Sequence, residues 1–233
     1  GGSHVLQQLA NEVAGDVTDP ETNVSIMQRK KAAEVVGAGS KEQKELMAQH
    51  VMKIDSLGSG SDFSPFLQHI GIASLDISFG GEDNGGEYHS IYDSYDMFNR
   101  FKDPGNQYGV VLAKTAGRFT LRMANADVIP FNFYDFYATI NGYAKEVIKE
   151  LNNMRTSTEL NNKLIKENYY TLANDPTKPY YPPAPKEAVP YLNFSDLENA
   201  LVTLKNSANQ YQTVAAAAAQ RTDVDLNKLN TLL

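Results

Sequence analysis

The sequence predicts a mainly helical protein, α+β overall, from three features of its patterning. Apolar residues recur at three- and four-residue steps through most of the 233 positions, which is the spacing of one helix face. Strict two-residue alternation stands out at one place, where Leu75, Ile77 and Phe79 interleave with Asp76 and Ser78, the period of a half-buried strand. Glycine and proline gather mostly between these runs and act as punctuation.

Composition narrows the class further. With 42% hydrophobic and 21% charged residues, the chain has the material for one large domain or two small ones and is no disordered polymer. A formal charge of -7 argues against a nucleic-acid or anionic-membrane footprint, because counterion release needs clustered Lys and Arg. The densest basic run is only Arg29-Lys30-Lys31. Cysteine is absent, which excludes disulfides, thiolate zinc sites and cysteine nucleophiles. No apolar run reaches the length of a membrane span.

Along the chain, Val5, Leu6, Leu9 and Val13 share one helix face, and Asp19-Pro20 marks the following turn. Ser25 to Val36 and Lys41 to Val51 read as two short helices split by Gly37-Ala38-Gly39. Leu57-Gly58-Ser59-Gly60-Ser61-Asp62 is a tight bend, with Asp62 suited to cap a helix through Phe66 and Leu67 that stops at Gly71. After the 75–79 strand, Gly80 to Gly86 is a surface loop whose two acids argue against a phosphate cradle. Ser90 with Asp93 suggests a helix start, and Ile91, Tyr95 and Phe98 supply its stripe. Asp103-Pro104-Gly105 ends that helix, and the next carries Val111, Leu112, Thr115, Phe119 and Met123, with Gly117 allowing close packing.

Beyond Pro130 long helices dominate. One is predicted over about 134–151 and another over about 158–170. A stiff connection follows, in which Pro176, Pro179, Pro182, Pro183, Pro185 and Pro190 read as a spacer or a surface strap. Ser195 and Glu198 form a capping-box pattern, and Leu197, Leu201, Leu204, Ala208, Tyr211, Ala215 and Ala218 make a lengthwise packing seam. Val224, Leu226, Leu229 and Leu232 continue an apolar stripe to the last residues, which suggests a truncated unit.

Residue chemistry alone does not assemble a catalytic centre. The four histidines, His4, His50, His69 and His89, fall in no metal-ligating spacing, and a catalytic zinc needs about three protein ligands. On these grounds His89 reads as a hydrogen-bonded structural histidine. Gly58-Ser59-Gly60-Ser61 lacks the spacing of a nucleophile elbow and reads as a turn.

Four stretches together resemble the glutamate carboxypeptidase/transferrin-receptor family of zinc peptidases. They are Gly58-Ser59-Gly60-Ser61-Asp62-Phe63, Gly71-Ile72-Ala73-Ser74, Tyr88-His89-Ser90-Ile91-Tyr92-Asp93-Ser94-Tyr95 and Ala124-Asn125-Ala126-Asp127-Val128-Ile129-Pro130-Phe131. Their order is that of the second half of the family's peptidase domain, and the residues after Phe131 are similar to its helical dimerisation domain. The resemblance covers nearly the whole chain. It implies the C-terminal portion of a zinc-exopeptidase α/β domain over residues 1–131, followed by a dimerisation helical bundle over 132–233. The family's peptidases use two zinc ions sharing a water, with a glutamate as general base. By resemblance His89 is the last zinc ligand and Tyr88 the hydroxyl that donates to the developing oxyanion. Ser59, Gly60 and Ser61 line the substrate cleft. Homodimerisation through the C-terminal helices, a peptide substrate and an exported or periplasmic setting are implied in the same way.

The departures are equally specific. The family's remaining ligands and its base lie upstream of this sequence. Where the carboxypeptidase branch carries arginines for an acidic residue, Leu75, Asp76 and Ile77 stand here, and Asp76 repels a carboxylate. Lys186 does not align with the family's late Lys-Tyr pair. The expectation is therefore a piece of a zinc metallopeptidase that is inactive alone. The alternatives are a non-enzymatic, transferrin-receptor-like dimerisation and binding protein, or a free-standing helical interaction module.

Overall fold

The computed structural model of the chain describes residues 1–81, 86–218 and 225–231. Among the described residues helix is the regular element, and extended pairing is limited to two isolated antiparallel bridges, Gly2 with Leu75 and Thr18 with Ser25. The chain divides into two compact units, residues 1–136 with 208–233, and residues 137–207.

The first unit is built on α1 (Gln7–Asp16), entered through a 3-10 turn at His4–Leu6. Its apolar face buries Leu6, Leu9 and Val13 as the periodicity requires, and Val17, Met52 and Val111 are buried with them. The opposite need, satisfying backbone, is met by two side-chain amides on the same helix. Asn11 Nδ2 donates to the Met52 carbonyl at 2.9 Å, while Met52 N–H donates to Asn11 Oδ1 at 2.8 Å. Ile54 N–H donates to Gln7 Oε1 at 3.0 Å. Extended residues 52–54 thus find in α1 the partners that a neighbouring strand ordinarily supplies.

Helix α2 (Ile26–Gly37) begins with a complete capping box between Ser25 and Gln28, and α3 (Ser40–Ala48) packs on it. Helix α3 ends three residues before the predicted Val51, because the chain turns extended to reach Met52. The turn between α1 and α2 is organised by Asp19, only 2% exposed. It accepts from the N–H groups of Glu21 and Thr22 at 3.0 and 2.9 Å, from the Thr22 hydroxyl at 2.9 Å, and from Arg29 Nη1 at 2.8 Å on both oxygens. Arg29 also pairs with Glu21 at 2.8 Å and meets the Tyr108 hydroxyl, which donates to Asp19 at 3.2 Å. Burial by itself would raise the Asp19 carboxyl, but Arg29 and the Thr22 and Glu21 donors prevail and hold it down to about 2. Burial, together with the facing carboxylates, pushes the Tyr108 phenol up to about 12.

Tyr108 belongs to α5 (Gln107–Ala124), which buries Val111 and Thr115. Asp103 anchors its first turn, accepting from Tyr108 N–H at 3.1 Å and Gly109 N–H at 2.8 Å. Gly117 does not serve the close packing expected of it: a methyl group added there would meet no neighbouring atom within 4 Å, so this position faces open space. The strand expected at 75–79 is absent as a regular element. Leu75 pairs with Gly2 and Asp76 N–H donates to Gly1 O at 2.9 Å, but among the described residues no further rung follows along Ile77 to Phe79. The alternation of that segment survives in its burial, with Leu75, Ile77 and Phe79 half-buried and Asp76 and Ser78 exposed.

Two predicted helix starts move. Asp62 caps no helix among the described residues; a short π-helical turn at Pro65–His69 follows Ser64, and Gly71, at φ +71°, ends it as expected. Ser90 likewise opens a turn and not a helix, because its hydroxyl is committed to the Glu87 carbonyl at 2.6 Å. Ser94 takes the capping role for α4 (Tyr95–Met97) by accepting from Met97 N–H, and a π-helical turn at Phe98–Lys102 continues it. Ile91 and Tyr95 are consequently solvent-exposed instead of forming a buried stripe.

The predicted helices over 134–151 and 158–170 are largely one, α6 (Phe133–Lys166), followed by the short α7 (Tyr169–Leu172). Apart from Met154, residues 152–157 are polar, yet they contain neither Gly nor Pro and so nothing that breaks a helix. In the second unit the proline-rich segment, expected as a spacer or a strap, is a strap along α6. Arg155 Nη2 donates to Pro190 O at 3.1 Å, and Asn162 exchanges two hydrogen bonds with the Lys186 backbone at 2.7 and 2.9 Å. Helix α8 (Ser195–Ala218) is capped by Asn193, whose Oδ1 accepts from Ser195 N–H at 3.0 Å and from its hydroxyl at 2.8 Å, so the predicted Ser195–Glu198 box does not form. Leu201, Ala208 and Ala218 of the predicted seam are buried, whereas Leu197 is exposed. Helix α9 (Leu226–Thr231) holds Leu226 and Leu229 of the last stripe; Val224 and Leu232 lie outside the described residues, as do Glu82 and Asp83 of the glycine loop.

Two stability outcomes follow. Asp19→Asn lowers the unfolding free energy at pH 7 by about 2–3 kcal/mol in denaturant melts, since buried donors lose a charged acceptor. Ionised Asp19 stabilises fully above its unfolded value near 3.8 and ceases to do so as pH falls through about 2, so the gap between the two proteins closes across that window. Conversely, Gly117→Ala on the open face of α5 raises stability by about 0.5–1 kcal/mol.

Candidate functional site

Tyr88 and His89 sit on a turn braced from below. Glu87, 8% exposed, forms an ion pair with Lys102 from the π-helical turn that ends α4. Ser90 N–H and its hydroxyl both donate to the Glu87 carbonyl, at 2.9 and 2.6 Å, and the same hydroxyl accepts from Tyr92 N–H at 3.2 Å. Asp93 N–H donates to Ser90 O at 3.1 Å, and Ser94 N–H to Tyr92 O at 2.8 Å. Successive reverse turns of this kind leave His89 at φ +61°, the left-handed region that costs a β-carbon-bearing residue about 1–2 kcal/mol.

The side chains above this brace are exposed. Tyr88 is 75% exposed, and its ring stacks on the His89 imidazole at a centroid distance of 3.8 Å and an interplanar angle of 23°. The His89 ring nitrogens make no hydrogen bond to a described residue, so the reading of His89 as a bonded structural histidine is overturned. His4 is the contrasting case: it is buried, and desolvation holds its imidazole below the ordinary value while Asp55 opposes the shift.

The Ser59-Gly60-Ser61 turn is exposed throughout. Gly60, at φ +85°, needs its missing side chain, and its N–H donates to Ser64 Oγ at 3.1 Å, with Ser61 N–H at 3.4 Å from the same oxygen. Gln68 Nε2 ties the turn to Gly58 O at 3.0 Å. No hydrogen bond between described residues joins this turn to the Tyr88–His89 step. Exposed apolar side chains lie near each in sequence, Phe66, Ile70 and Ile72 beside the turn and Ile91, Tyr92 and Phe101 beside the step. The Glu87–Lys102 brace was not legible in the sequence, since the intervening residues carry no spacing that pairs the two.

Among the described residues no three His, Cys, Asp or Glu side chains gather closely enough to hold a metal ion. One imidazole does not make a zinc pair, and the residues present do not fit that group by themselves. No helix among the described residues is long and apolar enough to cross a membrane.

No family model matches the chain. Individual relatives do. A probable glutamate carboxypeptidase of Arabidopsis thaliana is 36% identical over 93 residues, 40% of this chain and 13% of that protein. A probable glutamate carboxypeptidase of Arthroderma benhamiae is 37% identical over 101 residues, 42% of this chain and 14% of that protein. Aminopeptidase NAALADL1 of Rattus norvegicus is 28% identical over 107 residues, 43% of this chain and 14% of that protein.

Over that stretch the chain is similar to glutamate carboxypeptidases. The match takes in about two-fifths of the chain, less than the near-complete coverage that the four motif stretches and the helices after them imply, and it spans 13–14% of the relatives' length. The mainly helical architecture accords with a C-terminal portion of such a peptidase.

The brace and the strain make separable predictions. Glu87→Ala accelerates amide exchange from Tyr88 to Tyr92 and costs about 1–3 kcal/mol, because Lys102 loses a buried charged partner. His89→Gly leaves stability unchanged or raises it by up to about 1 kcal/mol in thermal melts, because glycine adopts the left-handed backbone freely.

Proposed function

We propose that this chain is a C-terminal part of a zinc-dependent exopeptidase of the glutamate carboxypeptidase type. In this reading residues 1–131 supply part of the peptidase domain, with His89 as one zinc ligand, Tyr88 as the oxyanion donor and Ser59, Gly60 and Ser61 as one wall of a peptide cleft. Residues 132–233 supply homodimerisation helices, and the parent protein is exported. The remaining ligands and the general base come from residues outside this chain, so the chain alone is inactive. The observation that carries the reading is the exposed, unbonded His89 ring at φ +61° above the Glu87–Lys102 brace. A purely structural histidine has no use for that strain. Similarity to peptidases over two-fifths of the chain supports the same class.

The test has two arms. Purified residues 1–233 neither retain zinc after dialysis nor cleave peptides; chelator-sensitive cleavage by this chain, with contaminants excluded, sinks the proposal. In the full-length parent, His89→Ala lowers the zinc content and abolishes hydrolysis, while Tyr88→Phe keeps the zinc and lowers kcat by about 10²–10³. Retention of both zinc and activity by the His89→Ala parent also overturns it.

A further inference from the structure

Two asparagines of the chain carry a pattern that the peptidase reading leaves unused. The sequence contains two Asn-x-Ser triplets with no proline between, Asn23-Val24-Ser25 and Asn193-Phe194-Ser195. That triplet is the acceptor sequence for asparagine-linked glycans, and a bulky hydrophilic product demands a surface turn. Both triplets meet the demand. Asn23 is exposed in the turn between α1 and α2, at φ +59°, with its N–H donating to Asp19 O at 3.0 Å. Its carboxamide makes no hydrogen bond to a described residue. Asn193 is exposed in the turn that opens α8, and the cap it provides uses only Oδ1, which accepts from the Ser195 N–H and hydroxyl at 3.0 and 2.8 Å. Its Nδ2 has no partner among the described residues. Other asparagines are used differently: Nδ2 of Asn162, Asn174 and Asn230 each donates to a backbone carbonyl, at 2.7, 2.5 and 2.8 Å.

We infer that Asn23 and Asn193 are acceptors for asparagine-linked glycosylation, an inference that rests on the exported parent proposed above. The co-substrate is an oligosaccharide carried on a polyprenyl pyrophosphate. Asparagine Nδ2 forms a bond to the anomeric carbon of the first sugar, and the bond from that carbon to the pyrophosphate oxygen breaks. Nδ2 gives up one proton, and polyprenyl pyrophosphate leaves. Oδ1 remains a carbonyl oxygen, so the Asn193 cap keeps both of its hydrogen bonds after modification. At Asn23 the turn is held by the Asp19 carboxylate and not by the carboxamide, so the glycan displaces no bond there either. Each glycan stands beside apolar side chains that the fold leaves exposed, Val24 in the first triplet and Tyr191 with Leu192 just before the second. A hydrophilic cover over such residues opposes self-association.

The test translates residues 1–233 behind a cleavable secretory signal peptide in the presence of endoplasmic-reticulum microsomes. A tag with one further Asn-x-Thr triplet reports entry into the lumen. The product carries two glycans besides that of the tag, seen as two extra steps in gel mobility that endoglycosidase H removes. Asn23→Gln and Asn193→Gln each delete one step. Ser25→Ala and Ser195→Ala do the same, because they keep the asparagine and lose the hydroxyl that defines the acceptor, whereas Ser25→Thr and Ser195→Thr retain their steps. Each residue stands or falls by its own step. A glycosylated tag with no step that depends on Asn23 or Asn193 overturns the proposal and leaves the export of the parent untouched. Both residues filled in microsomes, with neither filled in the full-length parent purified from its own cells, supports the acceptors and overturns the export.

Discussion

Extended backbone without a sheet must still find partners for its N–H and C=O groups, and in this chain α1 provides them. Asn11 treats Met52 as a strand neighbour would, giving one hydrogen bond and taking one, and Gln7 accepts from Ile54 N–H. On the other side Gly1 to Ser3 lie between Asp55 and the Ser74–Asp76 segment, with Gly2 N–H donating to Asp55 O and Ser3 N–H to Ser74 O, both at 2.8 Å. An unmade backbone bond in a buried position costs more than most packing contacts return. Once these amides are in place, the residues before the Ser59-Gly60-Ser61 turn and those before the glycine loop have fixed positions, and α1 can bury its apolar face at the same time.

From there a continuous set of polar contacts runs to the candidate site. Asp19 holds Arg29 and the Tyr108 hydroxyl, the backbone of Tyr108 donates to Asp103, Asp103 N–H donates to Phe98 O at 2.9 Å, and Lys102 beside it pairs with Glu87 beneath Tyr88 and His89. Stability is concentrated at the Asp19 end, where both carboxylate oxygens are satisfied. Strain is concentrated at the other end, where His89 adopts a backbone that glycine would prefer. A well-bonded base is what allows a strained and exposed residue to persist.

The candidate site was legible only in part. Tyr88, His89 and the Ser59-Gly60-Ser61 turn are singled out by resemblance, not by pattern, because exposed turn residues obey no periodicity. Spacing suggests that His89 is a bonded structural residue and Ser90 a helix start; the Ser90 hydroxyl instead belongs to the turn that carries His89, whose ring stacks on Tyr88 and makes no hydrogen bond to a described residue. The edge-on contacts among Phe131, Phe133 and Tyr211 left no signal in the chain either. Phe131 and Phe133 are adjacent in pattern, but Tyr211 lies far along another helix and reads as one member of a packing seam.

By itself the sequence determined the longer helices and part of the face each buries, since both follow from local spacing: Leu9 and Val13 on α1, Val111 and Thr115 on α5, Leu201 and Ala208 on α8. It also determined that the proline-rich segment is stiff and irregular, while the contacts to Arg155 and Asn162 decided between a spacer and a strap in favour of the strap. Only the tertiary structure decided that Leu75 to Phe79 stays a single extended run, that residues 152–157 remain helical, and that Asn193 displaces Ser195 as a cap. The reasons differ. A strand is settled by partners distant in the chain, which only the fold places, whereas the helix through 152–157 and the Asn193 cap use neighbours in sequence, and spacing does not choose between competing local hydrogen bonds.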